Sequence, residues 1–328
     1  MWDREQHSQG RRADELPGVI ETIGLAYTRL LARPWIVLGP VLLDLYLWLG
    51  LKITAGPLVL KIGKAIRPVE AIGASTADFV EGQNQYNLAE LLSFDVLTVR
   101  MPTFFPSLVS DQPIRLDTWQ PELSNGPWWL LAPLAPLLLV AGYALGSAFL
   151  IALGDVSRDI TPQIDIRLML RTGYRMILWT LASVGLLILL AWPLIVAQGA
   201  FIYSGSPPID ILLYLMFLPA GVGFVLFFFS IYAIVLDGAT AGQAFRSSYR
   251  IVRADGWQAL AFIVSFMIVT GGFPFLWRLL ATVPPGTLIA IFGNAFVSTG
   301  MIAAGMIYYE DRAAVVDLGN PATAPGAV

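Results

Sequence analysis

The chain has 328 residues, of which 56% are hydrophobic and only 13% charged, against roughly 25% charged in an ordinary soluble domain. A water-soluble fold has no way to hide that much apolar surface, and the mean hydropathy of +0.69 points to a membrane. Cysteine is absent, which excludes disulfides and thiolate metal sites. The formal net charge of −3 is too small for its sign to argue anything about nucleic acid, which is not expected as a partner; what matters in a membrane protein is where each charge lies.

Residues 1–34 read as a polar arm ending in a helix that lies on a membrane surface. The twin arginine Arg11–Arg12 is followed by the acidic "ADEL", and the next apolar run has no short core ending in a small-residue cleavage site. It is therefore read as a retained span and not as an export signal. Crossing a bilayer as a helix takes about 20 mostly apolar residues, and six runs qualify, near 35–54, 128–153, 177–203, 209–236, 257–281 and 286–309. Trp35, Trp128, Trp129, Tyr203, Trp257, Tyr308 and Tyr309 stand at their ends, where amphipathic rings favour the headgroup layer.

Between the first two runs, residues 55–127 mix carboxylates such as Glu70, Asp95 and Asp117 with Lys61, Lys64, Arg67, Arg100 and Arg115. "LVLKIGKAIRPVEAI" and "YNLAELLSFDVL" have apolar residues at helical spacing, whereas "MPTFFPSLVSDQPIRLDTWQPELSNGPWW" is broken by proline. Short helices leaning on the outer membrane face are expected there, not an independent domain. Residues 310–328 end in small and polar residues and are expected to form a disordered tail.

Arginine distribution sets the orientation. Arg4, Arg11, Arg12, Arg29 and Arg33 precede the first run, Arg158, Arg167, Arg171 and Arg175 follow the second, and Arg246, Arg250 and Arg253 follow the fourth. The short intervening loop "SGSPPID" carries none, and "VPPG" has only Arg278 nearby. By the positive-inside rule both termini are cytoplasmic.

"AYTRLLARPW" at 26–35, "RTGYRMILW" at 171–179 and "RSSYRIVRADGW" at 246–257 share a tyrosine, spaced arginines and a tryptophan entering the next apolar run. They predict three units, each an interfacial amphipathic helix followed by a transmembrane hairpin. Thr240 with Gln243 forms a capping box, and Thr161 before Pro162 predicts a second helix start. The fold class expected is an all-α polytopic bundle, with an arm at 1–34 and a membrane domain at 35–309.

The run "IVLDGATAGQAFRSSYRIVRADGWQALAFIV" resembles the YciC-like family, also known as the membrane domain attached to some glycerophosphoryl diester phosphodiesterases. The likeness is best over roughly 209–309. It implies a six-helix bacterial inner-membrane protein of a family mostly without an assigned activity. The chain has no room for the phosphodiesterase domain of fused members, and its long outer loop departs from the family pattern.

No catalytic constellation emerges. The one histidine, His7, lies in the polar arm, and neither a triad nor a histidine metal cluster can be assembled. No phosphate-binding "GxxxxGK" loop occurs, and no cofactor or metal is expected. Asp44, about nine residues or roughly 14 Å beyond Trp35, falls near the bilayer centre, where an ionised carboxylate costs roughly 2.5–3.5 kcal/mol. Asn294 and Gln198 are its candidate partners. A structural hydrogen bond and a proton or ligand site both remain open for it.

"LPAGVG" around Pro219 and "TGGFPF" around Pro274 read as packing kinks or as broken helices of a transport site. "GYALG", with Gly142 and Gly146, reads as a close-packing face. Arg29, Arg33, Arg167, Arg171, Arg175, Arg246, Arg250 and Arg253 are candidates for anionic headgroups, with fixing topology as the alternative role. The sequence thus predicts a non-enzymatic scaffold that binds membrane lipids or an unidentified membrane protein. A permease-like subunit using Asp44 ranks second, and an intramembrane lipid-processing enzyme third.

Overall fold

The computed structural model describes residues 16–51, 53, 88–93, 101–104, 128–163, 165–203 and 221–318. Among them are helices and no strand. In chain order they are α1 (Val19–Ala32), a 3-10 turn (Pro34–Val37), α2 (Leu38–Leu49), a second 3-10 turn (Leu88–Leu92), α3 (Trp128–Ser157), α4 (Ile166–Tyr203), α5 (Gly221–Asp237), α6 (Ala241–Ala254), α7 (Gly256–Leu280) and α8 (Pro284–Leu318). Helices α3, α4, α7 and α8 each hold a stretch long and apolar enough to cross a membrane. His7, most of the 55–127 loop, Pro219 and the side chain of Gln198 lie outside the described residues.

Two of the three expected units break where the sequence places a breaker. Pro34 follows α1, which meets the helical segment after it at 95°, and Asp255–Gly256 separates α6 from α7. The middle unit has "MILW" at the equivalent place, with neither proline nor glycine, so no residue interrupts the hydrogen-bond ladder. There α4 runs unbroken for 38 residues, which corrects the expectation of a separate interfacial helix in the second unit. It also starts later than expected. The Asp165 carboxylate accepts the Arg167 amide at 2.9 Å, displacing Thr161 as the cap. Thr240 and Gln243 form the expected box, with the Thr240 amide donating to the Gln243 side chain at 2.9 Å.

Helix α2 has 12 residues, about 18 Å of rise, and is shorter than the span expected at 35–54. Of the other proline segments, α7 runs continuously through Pro274, so no broken helix forms there. The break in α5 falls instead at Phe228–Phe229. Ser248 of α6 covers it, donating to the Leu226 carbonyl at 2.8 Å and accepting the Phe229 amide at 3.0 Å. One hydroxyl thereby satisfies a donor and an acceptor that the interruption would leave bare.

The centre of the bundle is α8. In its apolar stretch 67% of residues are buried, against 11% in that of α4. Three aromatic rings dock where α8 has no side chain. Trp277 of α7 lies on Gly293, Tyr27 of α1 on Gly300 and Tyr232 of α5 on Gly305, and a Cβ at each glycine would overlap the ring. Tyr27 also donates to the Val297 carbonyl at 2.7 Å, and Tyr308 stacks against both Phe229 and Phe262, with centroids 5.3 and 4.6 Å away. Small residues on a central helix let neighbours approach closely, which gains dispersion contacts where lipid offers no hydrophobic drive. Gly142 serves similarly on α3, but its neighbour is the backbone of Leu91–Leu92, not another long helix. Helix α8 continues past the expected boundary at 309 to Leu318, and its last turns enter the site described next.

Candidate functional site

Helices α1 and α6 place most of the candidate arginines, and they do so in one register. Each has 14 residues, and in each the amide of the N-cap donates to a side chain three residues on, Gly18 to Glu21 at 3.1 Å and Thr240 to Gln243 at 2.9 Å. Aligned on Tyr27 and Tyr249, the buried Thr22 and Ala26 of α1 fall on the buried Ala244 and Ser248 of α6. The exposed Gly24, Thr28 and Leu31 fall on the exposed Arg246, Arg250 and Arg253.

The candidate arginines then divide into two sets. Arg29, Arg33 and Arg175 turn inward. Arg29 donates to the carbonyl of Ser157, the last residue of α3. Arg33 donates to the Asp159 carbonyl at 3.3 Å and pairs with its carboxylate at 3.1 Å. Arg175 donates to the carbonyl of Gly238, which ends α5 at φ 62°. These are helix C-termini, whose last carbonyls lack intrahelical partners and carry the negative end of the dipole, so a guanidinium satisfies both needs. Asp159, the other described residue with a positive φ, at 60°, turns the chain out of α3, a conformation tolerated by Asp better than by most residues.

Arg167, Arg171, Arg246, Arg250 and Arg253 are exposed, and their side chains make no hydrogen bond or ion pair among the described residues. Tyr249 and Trp257 are exposed beside them, Trp257 to 81%. Helix α6 itself contains no carboxylate. The carboxylates flanking it are engaged by α8, where Tyr309 donates to Asp237 at 2.6 Å and Tyr308 to Asp255 at 2.6 Å.

Arg312 completes that clasp, and the sequence reading overlooked it by assigning residues from 310 to a tail. It is 2% exposed. It pairs with Asp255 at 2.9 Å, donates to Gln258 at 3.2 Å and to the Pro17 carbonyl at 3.0 Å, and lies 3.7 Å over the Tyr308 ring. Arg158, also unassigned by the sequence, pairs with Glu310 at 2.5 Å and donates to the Leu236 carbonyl at 3.3 Å. The available signal was the helical spacing of Tyr308, Tyr309 and Arg312, which puts them within one turn.

Asp44 is fully buried, and both carboxylate oxygens accept the Phe104 amide at 2.9 Å. A backbone donor from the segment at 101–104 thus meets this acid, in a helix too short to cross the bilayer alone. Asn294 is buried with its Oδ1 unpartnered among the described residues. Among those residues no three histidine, aspartate or glutamate side chains gather as a metal-binding group.

No curated protein and no solved structure matches the chain. Residues 130–315 match the family model of a domain of unknown function, DUF7847, and the match carries no link to the YciC-like family that the sequence resembles. Because it covers α3 to α8, more than half of the chain, the protein belongs to the DUF7847 family.

Proposed function

We propose that the protein is a non-enzymatic scaffold of the bacterial inner membrane, with both termini cytoplasmic, that holds anionic lipid headgroups along its outward arginines. The likeness to the YciC-like family supports the same placement. The observation that carries the reading is the division of the arginines. Arg29, Arg33 and Arg175 cap helix ends, whereas the side chains of Arg167, Arg171, Arg246, Arg250 and Arg253 make no hydrogen bond or ion pair among the described residues. An exposed guanidinium is no help to the fold, yet near an anionic surface each basic residue contributes about 1 kcal/mol. Tyr249 and Trp257 beside them suit the headgroup layer. A transport reading is less well supported, because α7 is continuous and Asp44 is engaged by Phe104.

The test is lipid retention. Wild type and a variant with the five outward arginines replaced by glutamine are purified from the same membranes, and the co-purified phospholipid is measured by mass spectrometry. The variant is expected to fold and to lose most of its anionic lipid. Equal retention by a folded variant would sink the reading.

A further inference from the structure

We infer that α6 is built for an anionic phospholipid carrying two phosphates joined by a short polar bridge, in preference to lipids with one phosphate. This rests on the headgroup reading above and names the lipid class.

The geometry is a line of like charges. At 100° and 1.5 Å per residue, Arg246, Arg250 and Arg253 lie within about 60° of arc, and Arg246 and Arg253 are about 10 Å apart along the axis. The opposite face of α6 is anchored by the buried Ala244, Ser248 and Ile251, so the ladder cannot roll away from the surface it presents. Each guanidinium can take a phosphate through two parallel hydrogen bonds.

Among the described residues no carboxylate pairs with the ladder. Asp237 and Asp255, which bracket α6, are bonded to α8 instead. Tyr309 holds the first, and Tyr308 with Arg312 the second.

Three cations in line have more capacity than one phosphodiester uses. Two separate lipids could fill them, each losing its own lateral freedom. A bridged pair of phosphates loses it once, and its second contact is intramolecular, with a high effective concentration. Trp257, at the junction of α6 and α7, marks the level at which acyl chains begin.

The experiment reconstitutes the full chain in nanodiscs of zwitterionic lipid doped with either cardiolipin or twice the molar amount of phosphatidylglycerol, so that phosphate is equal. Bound lipid is counted by native mass spectrometry. Wild type is expected to retain the two-phosphate lipid roughly tenfold or more over the single-phosphate lipid. Arg250→Gln, at the centre of the ladder, is expected to abolish that preference and Arg250→Lys to reduce it. Equal retention per phosphate by wild type overturns the two-phosphate inference and leaves headgroup binding standing. If neither lipid is retained above the level of the five-arginine variant, both readings fall. Identical melting of wild type and Arg250→Gln separates lost recognition from lost folding.

Discussion

Aligned on Tyr27 and Tyr249, α1 and α6 start, end and bury their faces at matching positions, yet they use arginine in opposite ways. Where α1 has Arg29 and Arg33, α6 has Ile251 and Asp255, and where α6 has Arg246, Arg250 and Arg253, α1 has Gly24, Thr28 and Leu31. Both helices latch to the end of the last helix of their own unit, with the sign reversed. Arg33 of the first reaches Asp159 after α3, and Asp255 of the third receives Arg312 of α8. Small buried residues and caps set where such a helix sits, and the charges can then be reassigned without moving it.

The two latches differ in depth, and that difference predicts the largest effect. Arg312 is 2% exposed and Asp255 22%, whereas Arg33 and Asp159 are 21% and 72% exposed. Arg312→Ala removes one partner of a largely buried pair, leaves Asp255 with the Tyr308 hydroxyl, and is expected to cost about 3–5 kcal/mol in denaturant titration in micelles. A loss no larger than that of a surface pair would show that the clasp is wet and that depth does not separate the latches. Next comes the seat of α1 itself. Gly300→Val puts a side chain into the Tyr27 ring and is expected to destabilise by about 1–3 kcal/mol. The same substitution at Gly24, which has open space around it, checks that the effect is overlap and not helix propensity.

How much of this could be read from the chain follows the same division between local and long-range causes. The repeat, the Thr240 cap and the apolar runs in α3, α4, α7 and α8 are local, and composition and spacing expose them. The unbroken α4 was also local, since "MILW" lacks a breaker; a similar tyrosine and tryptophan hid it. What the sequence could not show was direction. Arg29 and Arg253 look alike in a list of arginines, and only the packing of α1 against α3 tells which one caps a helix end. Asp44 makes the same point, because its partner Phe104 lies 60 residues away and contributes a backbone amide, which no residue type advertises. Arg312 lies past the boundary expected at 309, in the further turns that carry α8 to Leu318.

Smaller effects sharpen the contrast. Arg33→Ala removes a partly exposed ion pair together with an Nη1 that is buried without a partner among the described residues. The two changes oppose each other, and the net loss is expected to stay below about 1 kcal/mol. Double-mutant cycles of Arg33 with Asp159 and of Arg312 with Asp255, measured under the same conditions, should then return a markedly larger coupling for the second pair.

The smallest expected effect on stability comes from moving the ladder. Gly24→Arg, Thr28→Arg and Leu31→Arg together give α1 the outward charges of α6 at matching, exposed positions. None of the three side chains contributes to the buried face, and removing a mid-helix glycine favours the helix, so stability should change by no more than about 1 kcal/mol, and in the favourable direction at Gly24. Anionic lipid retention should rise nonetheless, and it should rise in a protein whose own α6 arginines have been replaced by glutamine. Recovery would show that the register shared by α1 and α6 presents both helices to the same layer, and that charge alone distinguishes them. Unchanged retention in a stable variant would mean instead that the surroundings of α6, with Asp237 and Asp255 held away by α8, are part of what makes arginine there productive.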